Sequence, residues 1–501
     1  MPEAVLAIDQ GTTGTTALVI AHDGSVLGRA YSEFTQYYPK PGWVEHDAVE
    51  IWRVSMDVAN RAVANADIQG AELAAIGLTN QRETTVIWDR RTGQPVHRAV
   101  VWQSRQTAEI CDQLRKAGHQ DWVRERTGLV LDAYFSASKI RWILDRVPNG
   151  QALAEKGDLL FGTIDTWLLW KLTGGEVHAT DPTNASRTLL YDIKKRRWAS
   201  GLLELFDVPR AMLPKVRPSS GVFGETRSLD SIPAGIPVAG IAGDQQAALY
   251  GRGCWRPGMV KATYGTGSFV VLNMGSDVTL SDGGLVTTVC CDADGLHAYA
   301  LEGSVFTTGA AIQWLRDEMG LIENAAETEV IGSKVTDTMG VYVVPAFAGL
   351  GAPHWDMHAR GAIVGLTRGS GRNQIIRATL DSIAYQTRDV IEAVNCDTCE
   401  EVTELRADGG ASVNNHLMQF QADLLGIPVV RPKLLETTCA GAAFLAGLGS
   451  GFWRGPEELI DVCLIDRTFN PQMDPSQREA LYAGWKRAVG QVSPPSPREP
   501  Q

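Results

Sequence analysis

Two related α/β domains are the architecture this sequence predicts, on three observations. The chain has 501 residues, well past the roughly 250–300 at which a single core stops growing. Strand and helix signals alternate along it, as α/β layering requires. A strand, a Gly/Thr-rich turn and a return strand open the chain and begin again near residue 259, a weak internal repeat. The boundary is placed at 251–257, giving domains over 1–251 and 252–490 and a tail over 491–501.

The first domain opens with strands at 4–8, 17–21 and 26–30, joined by a Gly/Thr turn and by Asp23-Gly24, which reads as an antiparallel meander. Strands at 74–78 and 84–88 flank Asn80-Gln81-Arg82-Glu83, and a strand at 237–241 leads through Ala242-Gly243-Asp244 into a helix at 245–250. In the second domain, strands at 259–263 and 268–272 enclose Tyr264-Gly265-Thr266-Gly267. Ile376, Leu380, Ile383 and Val390 have helical spacing and predict a helix over 373–394. A second helix, 417–425, stops at Gly426 with Pro428 beyond. The proline-rich run from Ser493 to the end is expected to be disordered.

Hydrophobic residues make up 44% and charged residues 21%, an ordinary globular composition. The net charge of −12 argues against a nucleic-acid partner. It does not argue against ATP, which backbone N–H groups, helix N-termini and a bridging metal can hold without a basic patch. The first apolar run ends at Asp9, too short for a signal sequence, and no window reads as a membrane span, so a cytoplasmic protein is expected. The eight cysteines are scattered, and Cys396 and Cys399 lack the further ligands of a zinc site, so all are read as reduced thiols. His354 and His358 stand four apart, but Pro353 and nearby glycines place them in a loop.

Three glycine turns suit phosphate or nucleotide. In Asp9-Gln10-Gly11-Thr12-Thr13-Gly14-Thr15, the backbone and Thr hydroxyls can cradle an anion while Asp9 holds Mg²⁺ through water. Tyr264-Gly265-Thr266-Gly267-Ser268 repeats this chemistry, and Asp408-Gly409-Gly410 runs through Asn414 into a helix where a base and sugar could lie. Each is equally readable as a polar turn. No Gly-Lys pair and no GxGxxG occurs, which excludes P-loop and Rossmann readings. Asp244 reads either as a helix N-cap or as a general base for phosphoryl transfer. Arg82-Glu83 reads either as a solvated pair or, buried, as a polyol-binding pair.

Taken in order, AIDQGTT (7–13), YPKPGWVEHD (38–47), GLTNQRETTVIWD (77–89), VWQSRQTAEIC (101–111), LFGTIDTWLLWKLTG (160–174), TNASRTLLYD (183–192), AGDQQAALYG (242–251), TYGTGSF (263–269), VYVVPAFAGLGAPHWD (341–356) and IIRATLDSIAYQTRDV (375–390) resemble the FGGY carbohydrate kinase family over nearly the whole chain. The resemblance implies an actin-like, ribonuclease H-like fold: two related α/β domains with the active site between them. The pairing of NQRE with GDQQ implies glycerol as substrate, rather than a hexitol, xylulose or gluconate. Asp244 is implied as the base. Arg82, Glu83, Tyr134 and Gln245 are implied as hydroxyl ligands, with Trp102 and Phe269 as the apolar wall. Thr12, Thr13, Gly14 and Thr16 are implied at the ATP phosphates and Asp9 near Mg²⁺. Thr266, Gly309, Gln313, Gly410 and Asn414 are implied around the rest of the nucleotide. A homodimer or homotetramer is expected from the same resemblance. A kinase of another small polyol and a non-catalytic nucleotide switch are the competing readings; NQRE and GDQQ speak against the switch, which needs no polyol pocket.

Three departures from the family pattern carry expectations. Position 16 is Thr where many bacterial members have Arg, and position 14 is Gly rather than Ser, so weaker nucleotide binding is expected. The loop 228–237 reads Ile232-Pro233-Ala234-Gly235 in place of the Gly-Gly-x-Arg element with which enteric members bind fructose 1,6-bisphosphate. No strong inhibition by that compound is expected, and a clear dose-dependent inhibition curve would overturn this. Residues 219–243 contain no His, so a switch by His phosphorylation there is expected to be absent.

Overall fold

The computed structural model describes residues 3–460 and 462–492. Its first sheet has six strands: β1 (Ala4–Gln10), β2 (Gly14–Ala21), β3 (Val26–Glu33), β4 (Leu73–Asn80), β5 (Ser220–Glu225) and β6 (Pro237–Gly243), in the order β5-β6-β4-β1-β2-β3. Strands β1, β4 and β6 run parallel to one another; β2, β3 and β5 are antiparallel to their neighbours. The second sheet has seven: β7 (Val260–Tyr264), β8 (Ser268–Gly275), β9 (Val286–Cys291), β10 (His297–Val305), β11 (Leu405–Asp408), β12 (Val429–Pro432) and β13 (Ile465–Phe469), in the order β9-β10-β8-β7-β11-β12-β13. Here β7, β11 and β12 are parallel, and the rest antiparallel. The weak repeat seen in the sequence is thus one topology used twice: an antiparallel meander, two parallel neighbours and an antiparallel edge.

The helices that position the site are α1 (Ala48–Asn65), α2 (Asp244–Gly251), α3 (Gly309–Asp317), α4 (Arg372–Thr398), α5 (Asn415–Leu425) and α6 (Thr437–Ser450). Strand β1 is buried on both faces, as a parallel centre strand must be. Leu6 and Ile8 join α1 in one core, while Val5 and Ala7 join Ala442, Ala443 and Phe444 of α6 in another. So α6, which lies between β12 and β13 of the second sheet in sequence, closes the open face of the first sheet. Helices α2 and α6 cross at two glycines, where backbone meets backbone. A Cβ at Gly441 would strike the Ala247 carbonyl, and one at Gly251 would strike that of Thr437. This contact fixes α2, and with it Asp244, between the two sheets.

Local signals act as the sequence suggests. Asp47 caps α1 through the Val49 and Glu50 N–H groups, and Asn414 caps α5. Helix α5 ends at Gly426 in the left-handed region (φ 74°). Helix α4 starts one residue before its expected span of 373–394 and ends four residues after it, stopping at Cys399, which is itself left-handed (φ 55°). The region around His354 and His358 is loop. Of the tail expected to be disordered, residues 491 and 492 belong instead to the last turn of the helix Pro475–Val492, whose side chains still find an apolar face; the remainder lies outside the described residues.

Candidate active site

A cluster of buried charges joins the two halves of the molecule. Arg82 and Glu83 follow β4 and are both nearly inaccessible. They are therefore not a solvated pair. Glu83 sits in the left-handed region (φ 59°), a conformation that a residue with a side chain adopts only when its surroundings impose it. Its side chain and its carbonyl are both engaged: Arg187 Nε donates to Glu83 Oε1 at 2.6 Å, and the Ser136 hydroxyl donates to the Glu83 carbonyl at 2.9 Å. Glu302 of β10 accepts from Arg82 Nη1 at 2.5 Å and from Arg82 Nη2 at 3.0 Å, and also from Arg187 Nη2 at 3.0 Å. The Arg82 Nε–H is left facing Asp244 Oδ1 at 3.1 Å.

Asp244 is not the cap of α2. Gly243 occupies that position, and Asp244 is the first helical residue, accepting from the Gln245 N–H at 2.7 Å. Its side chain is 28% exposed, the open member of an otherwise closed cluster. Two guanidiniums face three carboxylates here, which leaves Asp244 as the unbalanced negative charge. Burial raises the Glu302 carboxyl, but Arg187 and Arg82 outweigh it and bring it to about 2. Burial raises Glu83, with both guanidiniums opposing.

Phe269 and Trp102, the two residues expected as an apolar wall, each pack beside a residue expected to bind hydroxyls. Phe269 of β8 lies under the Arg82 guanidinium, 5.9 Å from ring centroid to carbon. Trp102 meets Tyr134 edge-on at 5.5 Å, and its indole N–H donates to Thr12 Oγ1 at 2.8 Å, tying the wall to the first glycine turn. Desolvation, then the Glu83 carboxylate, keeps the Tyr134 phenol protonated. Gln245 turns its carbonyl to Lys261, whose Nζ donates to it at 2.6 Å, so the amide NH₂ is left for other partners. Burial pulls Lys261 down to about 8, against the attraction of Asp408, Asp244 and Glu302.

Around the first turn, Thr12 is half-buried and Thr13 exposed, with Gly11 N–H bonded to the Gly14 carbonyl at 2.9 Å. Gly14 is required here: a Cβ would lie 2.7 Å from both the Ser32 carbonyl and the Tyr31 hydroxyl. The missing Ser is thus matched by Tyr31, which occupies its space. Thr16 pairs across the ladder with Asp9, and cross-strand partners share a face. Asp9, half-buried at the end of β1, is pushed up to about 7, first by desolvation and then by Asp244. Two carboxylates crowded together beside a turn rich in N–H and hydroxyl groups suit Mg²⁺, which takes one or two carboxylates and draws its remaining ligands from phosphates and water. No group of three or more His, Cys, Asp or Glu that would form an all-protein metal cage occurs among the described residues.

The second turn and the start of α3 are joined by backbone hydrogen bonds. Gly309 N–H donates to the Gly265 carbonyl at 3.0 Å, and the Thr308 and Ala310 N–H groups donate to the Thr266 carbonyl at 2.9 and 3.1 Å. A Cβ on Gly409 would press on Tyr264, so the third turn stacks on the second. Gly410 and Gln313 are open to solvent. Asn414 is buried and already engaged: it accepts from the Leu417 N–H and donates to Thr328. Its side chain is therefore a cap, and only the backbone around it is free to meet a ligand. Asp408 Oδ1 is buried without a hydrogen-bond partner, while Oδ2 accepts from Thr437.

Sequence reading missed Arg187, Glu302 and Lys261. The last two carried a signal: each is a single charge inside an otherwise apolar strand (ALEGSV, MVKATY), where charge is rare unless paired. Arg187 lies in the quoted TNASRTLLYD and had no spacing to single it out.

Residues 4–251 match the N-terminal domain, and residues 260–450 the C-terminal domain, of the FGGY family of carbohydrate kinases. The chain is 56% identical over 485 residues to glycerol kinase 2 of Thermotoga maritima, covering 97% of this chain and 98% of that one. It is 57% identical over 488 residues to the glycerol kinase of Shewanella sp. (strain ANA-3), covering 97% and 99%. Among solved structures, Plasmodium falciparum glycerol kinase with ADP superposes with a TM-score of 0.91 at 34% identity, over 98% of both chains. The xylulose kinase of Rhodospirillum rubrum, at 23% identity and a TM-score of 0.85, shares the fold.

Proposed function

The chain belongs to the FGGY family of carbohydrate kinases, and we infer that its cleft transfers the terminal phosphoryl group of ATP to glycerol, giving sn-glycerol 3-phosphate and ADP. One observation carries the assignment of roles: a single open carboxylate, Asp244, stands 3.1 Å from a guanidinium whose other edge is locked in a buried charge cluster. Such an arrangement binds one hydroxyl and takes its proton. The terminal hydroxyl of glycerol gives its proton to Asp244 as its oxygen attacks the terminal phosphorus. The bond from that phosphorus to the bridging oxygen breaks, and ADP leaves. The Arg82 and Gln245 donors and the Glu83 acceptor hold the remaining hydroxyls, and Trp102 and Phe269 pack on the carbon chain. Pairing hydroxyls in a desolvated site discriminates sharply against analogues lacking one.

Thr12, Thr13 and Gly14 lie at the ATP phosphates, and the turn 264–268 with Gly309 and the 409–414 backbone meets the rest of the nucleotide. Bound at Asp9, Mg²⁺ supplies charge neutralisation for the phosphates. The domains are 1–251 and 252–490, with α6 shared across them. No described helix is long and apolar enough to cross a membrane. We place the protein in the cytoplasm, where ATP is, as a homodimer or homotetramer; light scattering at a single concentration series tests the latter, and a monomer at all concentrations would refute it.

The deciding measurement is ADP release against a panel of glycerol, xylulose, gluconate and hexitols. Glycerol is expected to be the substrate with the highest kcat/KM, and turnover independent of any polyol would end this reading. The Thr16→Arg variant provides a narrower test. Arginine there would stand beside Asp9 and reach the phosphates, adding one partly exposed charge-assisted contact worth about 1 kcal/mol, roughly a fivefold lower KM for ATP. An unchanged KM would show that the first turn does not limit nucleotide binding.

A further inference from the structure

We propose that Glu302 is a positioning residue for the phosphoryl-acceptor site: it holds the Arg82 fork from the opposite half of the molecule, so that the Arg82 Nε–H is directed at Asp244 and the acceptor hydroxyl. This rests on the roles given above to Arg82 and Asp244. Glu302 is fully buried in β10 and belongs to the second sheet, whereas Arg82 and Arg187 belong to the first half. Both of its oxygens are used: Oε2 by Arg82 Nη1, and Oε1 by Arg82 Nη2 and Arg187 Nη2. Arg82 Nη1 also donates to Gln246 Oε1 at 3.1 Å, so the fork end of the guanidinium is fixed on two sides.

Stability does not explain this residue. Buried ion pairs contribute little to the fold compared with well-packed apolar side chains, and the neighbours of Glu302 along its strand are apolar or small. What the pair secures is orientation. Without Glu302, the nearest anions left to Arg82 are Asp244 and Glu83, the latter 3.9 Å away and already held by Arg187. The freed fork would close on Asp244 from two sides, which would occupy the base and withdraw the donor from the acceptor hydroxyl. Because the grip runs from one half to the other, the acceptor site is complete only with the halves juxtaposed as here.

The test is steady-state kinetics on Glu302→Gln, with both substrates varied. The glycerol KM is expected to rise, and kcat to fall, together lowering kcat/KM for glycerol roughly 10- to 100-fold, with KM for ATP within about twofold. In an Arg82→Lys background the same change is expected to cost less than about threefold, since the side chain through which it acts is gone. Wild-type kinetics in Glu302→Gln, an equal loss for ATP and glycerol, or the full penalty in the Arg82→Lys background would each overturn the proposal. Should Glu302→Gln not fold, Glu302→Asp keeps the charge and shortens the reach. It is expected to raise the glycerol KM at least about threefold with ATP unaffected, and wild-type behaviour would again overturn the proposal. If the unaltered protein shows no glycerol-dependent ADP release, the proposed function itself falls, and this inference with it; if it does and Glu302→Gln matches it, only this inference falls.

Discussion

Asp244→Asn is expected to lower kcat by about 10²–10⁴-fold, the usual contribution of a positioned general base, while the protein stays folded. The two halves of that expectation have separate physical grounds. The amide keeps an oxygen for the Arg82 Nε–H, now 3.1 Å from Asp244 Oδ1, but cannot take a proton from the acceptor. The cluster beneath it does not depend on the lost charge. With Asp244 neutral, the guanidiniums of Arg82 and Arg187 face Glu83 and Glu302 in balance. Asp244 is also the partly exposed member, so no buried ion is stranded by its loss. The checks are initial-rate kinetics and a thermal melt. A variant with wild-type kcat would remove Asp244 from the chemistry, and one that melted far below the wild type would mean that its charge supports the fold.

How much of this was legible beforehand follows from what periodicity and local chemistry encode. The β1–β2 hairpin, the β7–β8 hairpin, α4, and α5 with its glycine stop all rest on residues a few positions apart, and they appear where the pattern puts them. The crossing of α6 onto the first sheet does not. It depends on Gly441 meeting the Ala247 backbone across the molecule, and nothing adjacent to Gly441 announces a partner that distant. The site divides in the same way. Arg82, Glu83 and Asp244 lie in short motifs, which a linear reading can single out. Each carried two readings, between which the structure decides: Arg82-Glu83 is buried rather than solvated, and the helix cap is Gly243, leaving Asp244's carboxylate free. Arg187 had no local signal and Glu302 only that of a charge within a strand; their pairing with Arg82 exists only in three dimensions, so a linear reading had no means of joining them to it. Gly14 is similar: its absence of side chain looked like a loss, until Tyr31 was seen to fill the place.

Asp9→Asn is expected to abolish useful turnover and, in the absence of metal, to make the protein more stable. Bound Mg²⁺ supplies several kcal/mol of charge stabilisation in phosphoryl transfer, so losing its carboxylate should lower kcat about 10²–10³-fold. The stability effect has the opposite sign, and follows from the pKa. The Asp9 carboxyl is raised from 3.8 to about 7 by desolvation and by Asp244. A carboxyl raised on folding makes the folded state bind more protons than the unfolded one between those two values. Stability therefore falls as pH rises from about 4 towards 7, and stays at its lower level above that. Asparagine cannot ionise, so it escapes the penalty. In EDTA at pH 8 the variant should melt roughly 2–4 °C above the wild type, a size appropriate to about 1 kcal/mol in domains of this length. Near pH 4 the difference should vanish. Adding Mg²⁺ and ATP should then raise the wild type and leave the variant nearly where it was, since ligand stabilises only what binds it. A variant that melts below the wild type in EDTA at pH 8, or that gains as much from Mg²⁺ and ATP, would mean that Asp9 is neither strained by its neighbour nor the carboxylate that holds the metal.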